Sequence, residues 1–203
     1  MSLLLRDKLV KKLPILNENS CIRYWRRSDL DLLAKWPSYP FPYQSLNYRF
    51  NGMSESEKDR HYDERESNPD RITLILDRKG NSVIGYLALV EIDWKLRRVG
   101  NMAVRIEPNW CDSGIGTGLL KDVSGWGFEQ GIVSFNLNVV ASNQRAIRCY
   151  QKAGYHIVSE FWQDDEGLKG MDLDKSEFDF LRPHARTIGN MTQLRFYWME
   201  SKV

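Results

Sequence analysis

The stretch from Val99 to Ala141 limits the fold more than any other part of the chain. VGNMAVRIEP (99–108) reads as an apolar strand that Pro108 ends, because proline brings no backbone N–H to a ladder. Ile115, Leu119, Leu120, Val123 and Trp126 then recur at helical spacing, and Gly131 supplies the stop. SFNLNVVA (134–141) is again β-rich. Two strands joined through a helix of that length lie parallel in one sheet, so the chain is held to a mixed α/β architecture with a parallel crossover.

The flanking segments add antiparallel strands. RITLILD (71–77) and SVIGYLALVEID (82–93) flank Arg78-Lys79-Gly80-Asn81, a hairpin signal. Ser142-Asn143 caps a helix with Ala146, Ile147 and Tyr150 inward, closed by Gly154. YHIVSEFW (155–162) and LRFYWME (194–200) read as two last strands. Between them a charged insertion of about thirty residues (163–192) exceeds ordinary connections and is expected to serve as a flap. Upstream, Ser28-Asp29 predicts the N-cap of a short helix to about Trp36, and 54–66 a second helix. WPSYPFPYQSLNYRF (36–50) holds too many prolines for a regular helix. The start, MSLLLRDKLVKKLPIL, predicts a short amphipathic helix with Leu5, Leu9 and Leu13 on one face, too briefly apolar for a signal peptide or a membrane span.

A chain of 203 residues is expected to form one domain over 1–203. A net charge of +2 gives no general attraction to nucleic acid or an anionic membrane. Cys21, Cys111 and Cys149 show no paired spacing, and His61, His156 and His184 are scattered. That pattern argues against a zinc site and for a reducing, cytoplasmic setting.

The connection from the first crossover strand into its helix, EPNWCDSGIGTGLL (107–120), carries glycines at 114, 116 and 118. A Walker loop needs Lys-Ser/Thr after the last glycine, where Leu119-Leu120 stands; the dinucleotide fingerprint needs a glycine at 119. Both fail by spacing. A glycine turn at a helix N-terminus still exposes unpaired N–H groups at a positive dipole end. Anion binding and tight packing are the two readings of these glycines.

VRIEPNWCDSGIGTGLL followed by NQRAIRCYQKAGY (143–155) resembles the two signature segments of the GNAT N-acetyltransferase superfamily, over about 99–158. The resemblance implies a mixed, mostly antiparallel central sheet with a splayed parallel strand pair and helices on both faces. It implies an enzyme that uses acetyl-CoA without a metal. Backbone groups of Val104, Arg105 and Ile106 would pair with the pantetheine arm. Amides of Asp112, Ser113, Gly114, Ile115, Gly116 and Thr117 would hold the pyrophosphate, with Asn143 on the pantetheine and Tyr150 beside the thioester as general acid. Cys111 departs from the Gln or Arg frequent at its position, and is read as a small buried residue or a thiol activated by the helix N-terminus. Asn101 stands where relatives carry a glutamate base, leaving Glu91, Asp93 or a water relay. Trp36, Tyr39, Phe41 and Tyr43 fall where the family places a substrate-side loop. Asp164, Asp165 and Glu166 are read as a solvated loop or as an attraction for a cation. The implied acceptor is an amine of a small molecule, peptide or protein N-terminus, with a homodimer as one assembly state. The alternative is a CoA-binding regulatory module without catalysis.

Overall fold

The computed structural model describes residues 2–13, 15–16, 20–44, 47, 50–78, 82–169 and 171–203. Lys79 to Asn81 of the expected hairpin turn lie outside the described residues, as do 45, 46, 48 and 49 of the aromatic-proline stretch. The strands are β1 (Ile15–Leu16), β2 (Ser20–Tyr24), β3 (Ile72–Arg78), β4 (Ser82–Asp93), β5 (Arg98–Ile106), β6 (Ser134–Val140), β7 (His156–Asp164), β8 (Ala185–Ile188) and β9 (Met191–Lys202). The helices are α1 (Ser2–Val10), α2 (Asp29–Leu33), α3 (Glu55–Glu66), α4 (Ile115–Glu129) and α5 (Gln144–Lys152).

Among the described residues the strands make one nine-stranded sheet in the order β1-β2-β3-β4-β5-β6-β9-β7, with β8 also on β9. Every pairing is antiparallel except β5 with β6, which register only at Arg98↔Ser134 and Val99↔Phe135. Beyond that point the two strands part, each held on its outer edge by a full antiparallel ladder to β4 or β9. Two asparagines dress the vertex. Asn136 Nδ2 donates to Val99 O at 2.9 Å, and Asn101 Oδ1 accepts the Met102 N–H at 2.8 Å. Asn101, expected as a replaced base, therefore satisfies a backbone donor where no neighbouring strand does.

Helices cover both faces because β4 is apolar on both. Ile84, Leu87 and Leu89 join the core under α4 and α5, with Leu9 of α1, while Val83, Tyr86 and Ala88 join the core under α2. Leu119, Leu120 and Val123 of α4 are fully or almost fully buried, each adding about 1.5–3 kcal/mol of transfer free energy. On the opposite face Leu30 and Leu33 of α2 pack with Trp25, whose ring lies 4.8 Å from Tyr62 of α3. Ser54 begins α3 with a reciprocal capping box to Glu57, as Ser/Thr-x-x-Glu favours. Among the described residues no helix is long and apolar enough to cross a membrane.

Several boundaries move. Helix α2 stops at Leu33 rather than Trp36, and Ser28 makes no side-chain cap; Asp29 instead accepts the Arg26 N–H at 2.6 Å. The 163–192 insertion is shorter than expected, since β7 reaches Asp164, β8 occupies 185–188 and β9 begins at Met191. Among the described residues, what remains of the insertion between Asp165 and His184 holds three short 3-10 turns.

A buried ion cluster fixes α2 to the sheet. Arg23 of β2 grips Asp29 bidentately at 2.7 and 2.9 Å and also bonds Asp77 of β3. The Asp29 side chain is 1% exposed and that of Arg23 16%. Hydrogen bonding to Asp29 is the largest effect raising the Arg23 pKa. Asp29→Ala should cost about 3 kcal/mol, the low end for stranding a buried partner charge, because Asp77 still serves Arg23. The urea unfolding midpoint measures it, and a midpoint unchanged from the parent would remove the cluster from the stability account.

Candidate active site

Strand β5 ends at Ile106 and a 3-10 turn over Pro108–Trp110 leads through Cys111 to α4. Asp112 (φ 60) and Gly114 (φ 85) both take the left-handed region, the first at a cost that glycine does not incur. A Cβ on Gly114 would meet nothing within 4 Å, so this residue faces open space. A Cβ on Gly116 would sit 3.1 Å from Cys149 Sγ and 3.5 Å from Ile106 Cγ1. The two readings of the glycines divide between them: Gly114 opens the turn, and Gly116 lets α4 pack on α5 and β5.

The helical ladder of α4 begins with Gly118 N–H to Gly114 O at 3.0 Å. The amides of Asp112, Ser113, Gly114, Ile115, Gly116 and Thr117 donate to no protein acceptor among the described residues. Six consecutive donors without a protein acceptor at the N-terminus of a 15-residue helix have the chemistry to hold an anion. Asp112, Gly114, Gly116 and Thr117 of this run border a cleft of about 380 Å³ that runs along β5 to Asn143 and Tyr150.

Three cationic side chains of α5 also line this cleft: Arg145, Arg148 and Lys152. Their spacing puts them on one helix face, a signal present in NQRAIRCYQK but absent from the expected site. Arg145 Nη1 lies 3.9 Å from Asp112 Oδ2, the carboxylate lining the cleft. An anion held by those amides therefore meets an excess of positive charge.

Ladder parity sorts the three expected β5 residues. Glu107 N–H bonds Ile84 O at 3.0 Å, and the regular register Gly85↔Ile106 through Val90↔Asn101 carries that parity along β5. The backbone of Arg105 thus faces β4, while Met102, Val104 and Ile106 face the open edge. Ile106 O already accepts the Tyr39 hydroxyl at 2.5 Å. Tyr39, expected at the substrate side, is instead a 5% exposed wall of the cleft. Trp36 is likewise tied into the fold, its Nε1–H donating to Val83 O at 2.9 Å.

Asn143 caps α5, its Oδ1 accepting the Ala146 N–H at 3.0 Å, which leaves its NH₂ for the cleft. The Tyr150 hydroxyl has no hydrogen-bond partner among the described residues, and burial pushes its pKa up to about 12, with Cys149 adding and Arg105 opposing. It remains a phenol at neutral pH. Burial also raises the Cys111 and Cys149 thiols. The dipole argument for an activated Cys111 loses to desolvation, and Cys111 packs against the core with Sγ 3.6 Å from Ile106 O.

The expected bases fall elsewhere. Glu91 and Asp93 close the far end of β4, in a shallow groove with Asp70 and Trp94. Asp93 Oδ1 accepts the Lys95 and Leu96 N–H groups at 2.9 and 2.8 Å and so builds a turn. Neither lines the Tyr150 cleft. Of the acidic trio, Asp164 accepts from Gln193 at 2.7 Å and Glu166 lies 3.8 Å from Lys169, whereas Asp165 lines a second cavity under the insertion. Among the described residues no group of three His, Cys, Asp or Glu side chains has a metal-binding arrangement.

The acetyltransferase (GNAT) family model matches residues 32–155. A spermidine N-acetyltransferase from Vibrio cholerae, solved with CoA and spermine, is similar in structure: TM-score 0.64, 16% identity, covering 92% of this chain and 96% of that one. An acetyltransferase of the GNAT family from Streptococcus pneumoniae gives TM-score 0.56 and 19% identity over 91% of this chain and 99% of that one. No curated protein sequence matches the chain. At such identities the structural likeness speaks for the fold.

Proposed function

The chain belongs to the acetyltransferase (GNAT) family, and we propose that it is an N-acetyltransferase moving the acetyl group of acetyl-CoA to a primary amine of a small molecule, peptide or protein N-terminus. The observation that carries this reading is the run of six amides with no protein acceptor among the described residues, of which Asp112, Gly114, Gly116 and Thr117 line the cleft beside β5. Such donors match a pyrophosphate in charge and reach, and Arg148 and Lys152 extend the cationic wall for further phosphate. The exposed edge groups of Val104 and Ile106 suit an extended amide chain, with the Ile106 carbonyl shared with Tyr39. Asn143 offers its NH₂ to the same chain.

Acetyl-CoA, when bound, supplies a thioester carbonyl for the amine to attack. An amine with a lysine-like pKa of about 10.4 must first give up a proton. With Asn101 bonded to Met102 and Glu91 and Asp93 at the far end of β4, that proton leaves through water. Nitrogen bonds to the carbonyl carbon, the carbon–sulfur bond breaks, and Tyr150 donates its hydrogen bond to the departing sulfur. The solved V. cholerae neighbour holds CoA and spermine, which supports a small-molecule amine as acceptor here.

The missing base favours one other reading, a CoA-binding module without catalysis. Acetyl-CoA at saturation with a panel of primary amines, read by thiol release, separates the two. Release that rises with amine concentration is the expected outcome; tight acetyl-CoA binding with release independent of every amine would establish the module instead.

A further inference from the structure

A second cavity, of about 900 Å³, lies between the aromatic-proline stretch and the 165–184 loop. It touches the acetyl-CoA cleft through Asn143, which lines both. Tyr43 forms part of its wall, and the guanidinium of Arg145, from the cleft side, lies over the Tyr43 ring at 3.9 Å. The floor is β6 and β9, through Val140 and the buried Leu194.

Two properties mark the cavity as built for a ligand. Its apolar wall is unusually open to solvent. Phe41 is 60% exposed, Met171 49% and Phe180 36%, and all three face this one space. Phe41 and Phe180 meet edge to face at 5.3 Å, which fastens the insertion to the aromatic-proline stretch. Exposed apolar surface gathered in one concavity belongs to a binding site more often than to a solvated loop. The charge is also one-sided: among the described residues, Asp165, Asp172 and Glu177 border the cavity against one cation, Lys175.

We propose that this cavity is the acceptor pocket and that it selects a diamine: a primary amine carried on an apolar or aromatic body with a second, retained cationic group. The inference rests on the acetyl-transfer reading above. The division of charge argues for the second cation. The attacking nitrogen must be neutral when it reaches the thioester, so rim carboxylates gain nothing from it at that moment. They reward a group that stays protonated throughout. The rings hold the body and add attraction for that cation. The Asn143 boundary gives the reacting end its direction, toward the cleft that holds Tyr150.

The test pairs para-xylylenediamine with para-methylbenzylamine, which share the ring and one aminomethyl group and differ in the second ammonium. Binding of each to the CoA-saturated protein is measured by calorimetry, alongside acetylation kinetics. The variant joins Asp172→Asn to Glu177→Gln. Asparagine keeps the oxygen that accepts the Asp174 N–H at 3.0 Å, so the local turn survives. The parent should bind the diamine about tenfold more tightly than the monoamine, the size of a few partly exposed charge contacts. The double variant should lose that advantage without altering acetyl-CoA affinity. Phe180→Ala should weaken both amines alike. A parent that does not prefer the diamine, or a preference that survives neutralisation, overturns the proposal. Selective binding without acetyl transfer would uphold the pocket while overturning the activity.

Discussion

Gly114→Val is expected to weaken acetyl-CoA binding by two to three orders of magnitude, the larger part through backbone geometry. Gly114 sits at φ 85 as the N-cap of α4, and a left-handed residue costs about 1–2 kcal/mol, more when it is β-branched. The loop can escape that strain only by turning, which redirects the amides of residues 112–117. Each charge-assisted hydrogen bond so lost is worth about 1.5–3 kcal/mol. Two such bonds lost by a loop that has turned to escape the strain cost about 3–4 kcal/mol, or roughly a hundredfold to a thousandfold in Kd. Gly118→Ala is the matched control. Gly118 has φ in the helical region, does not line the cleft, and would meet nothing within 4 Å of a new Cβ. It should raise stability by about 0.5–1 kcal/mol and leave affinity alone. Calorimetric titration with acetyl-CoA reads both. Unchanged affinity in a folded Gly114→Val protein would take the phosphates away from this loop.

The loop was legible because glycine and proline act through the backbone, and backbone effects survive the loss of all tertiary information. Pro108 ends β5, Gly114 supplies the left-handed turn, and the period of Ile115 to Trp126 makes α4. The parallel crossover, and the parting of β5 from β6 that the family resemblance implied, stand for the same reason. Strand β2 was not legible. SCIRY buries only Ile22, and its Arg23 is drawn inward by Asp29, beyond the end of the strand, and by Asp77, distant in sequence, so no alternation shows. Strand β8, ARTI, is mostly exposed and is held by its backbone ladder to β9. The site divides along the same line. Glu91 and Asp93, the carboxylates left as candidate bases, end β4, whereas the register Gly85↔Ile106 brings the beginning of that strand beside the cleft. Tyr39 and Phe41 are two residues apart in one aromatic run, but one lines the cleft beside β5 and the other lines the second cavity. Only the three-dimensional path of the loop distinguishes them.

Tyr150→Phe should lower kcat about a hundredfold while leaving acetyl-CoA affinity within a factor of two, the low end for an acid catalyst. The low end follows from its surroundings. A phenol pushed up to about 12 is some 3.5 units less acidic than a thiol of about 8.5, so complete transfer to the sulfur would be uphill by about 5 kcal/mol. In the mechanism proposed above, Tyr150 would act by sharing its proton with the sulfur as negative charge grows there, and removal of the oxygen would forfeit that interaction alone. An acid must be protonated to work, and raising its pKa extends the range in which it is. The acceptor must be deprotonated, so kcat/KM should climb with pH toward the amine pKa. No alkaline fall assignable to Tyr150 should appear below about pH 10, two units short of its raised pKa. The phenylalanine variant should trace the same curve, scaled down. An alkaline limb near pH 8 or 9 in the parent that disappears in the variant would mean that Tyr150 ionises far more easily than its burial allows. Identical kcat in the two proteins would leave the sulfur to be protonated by water.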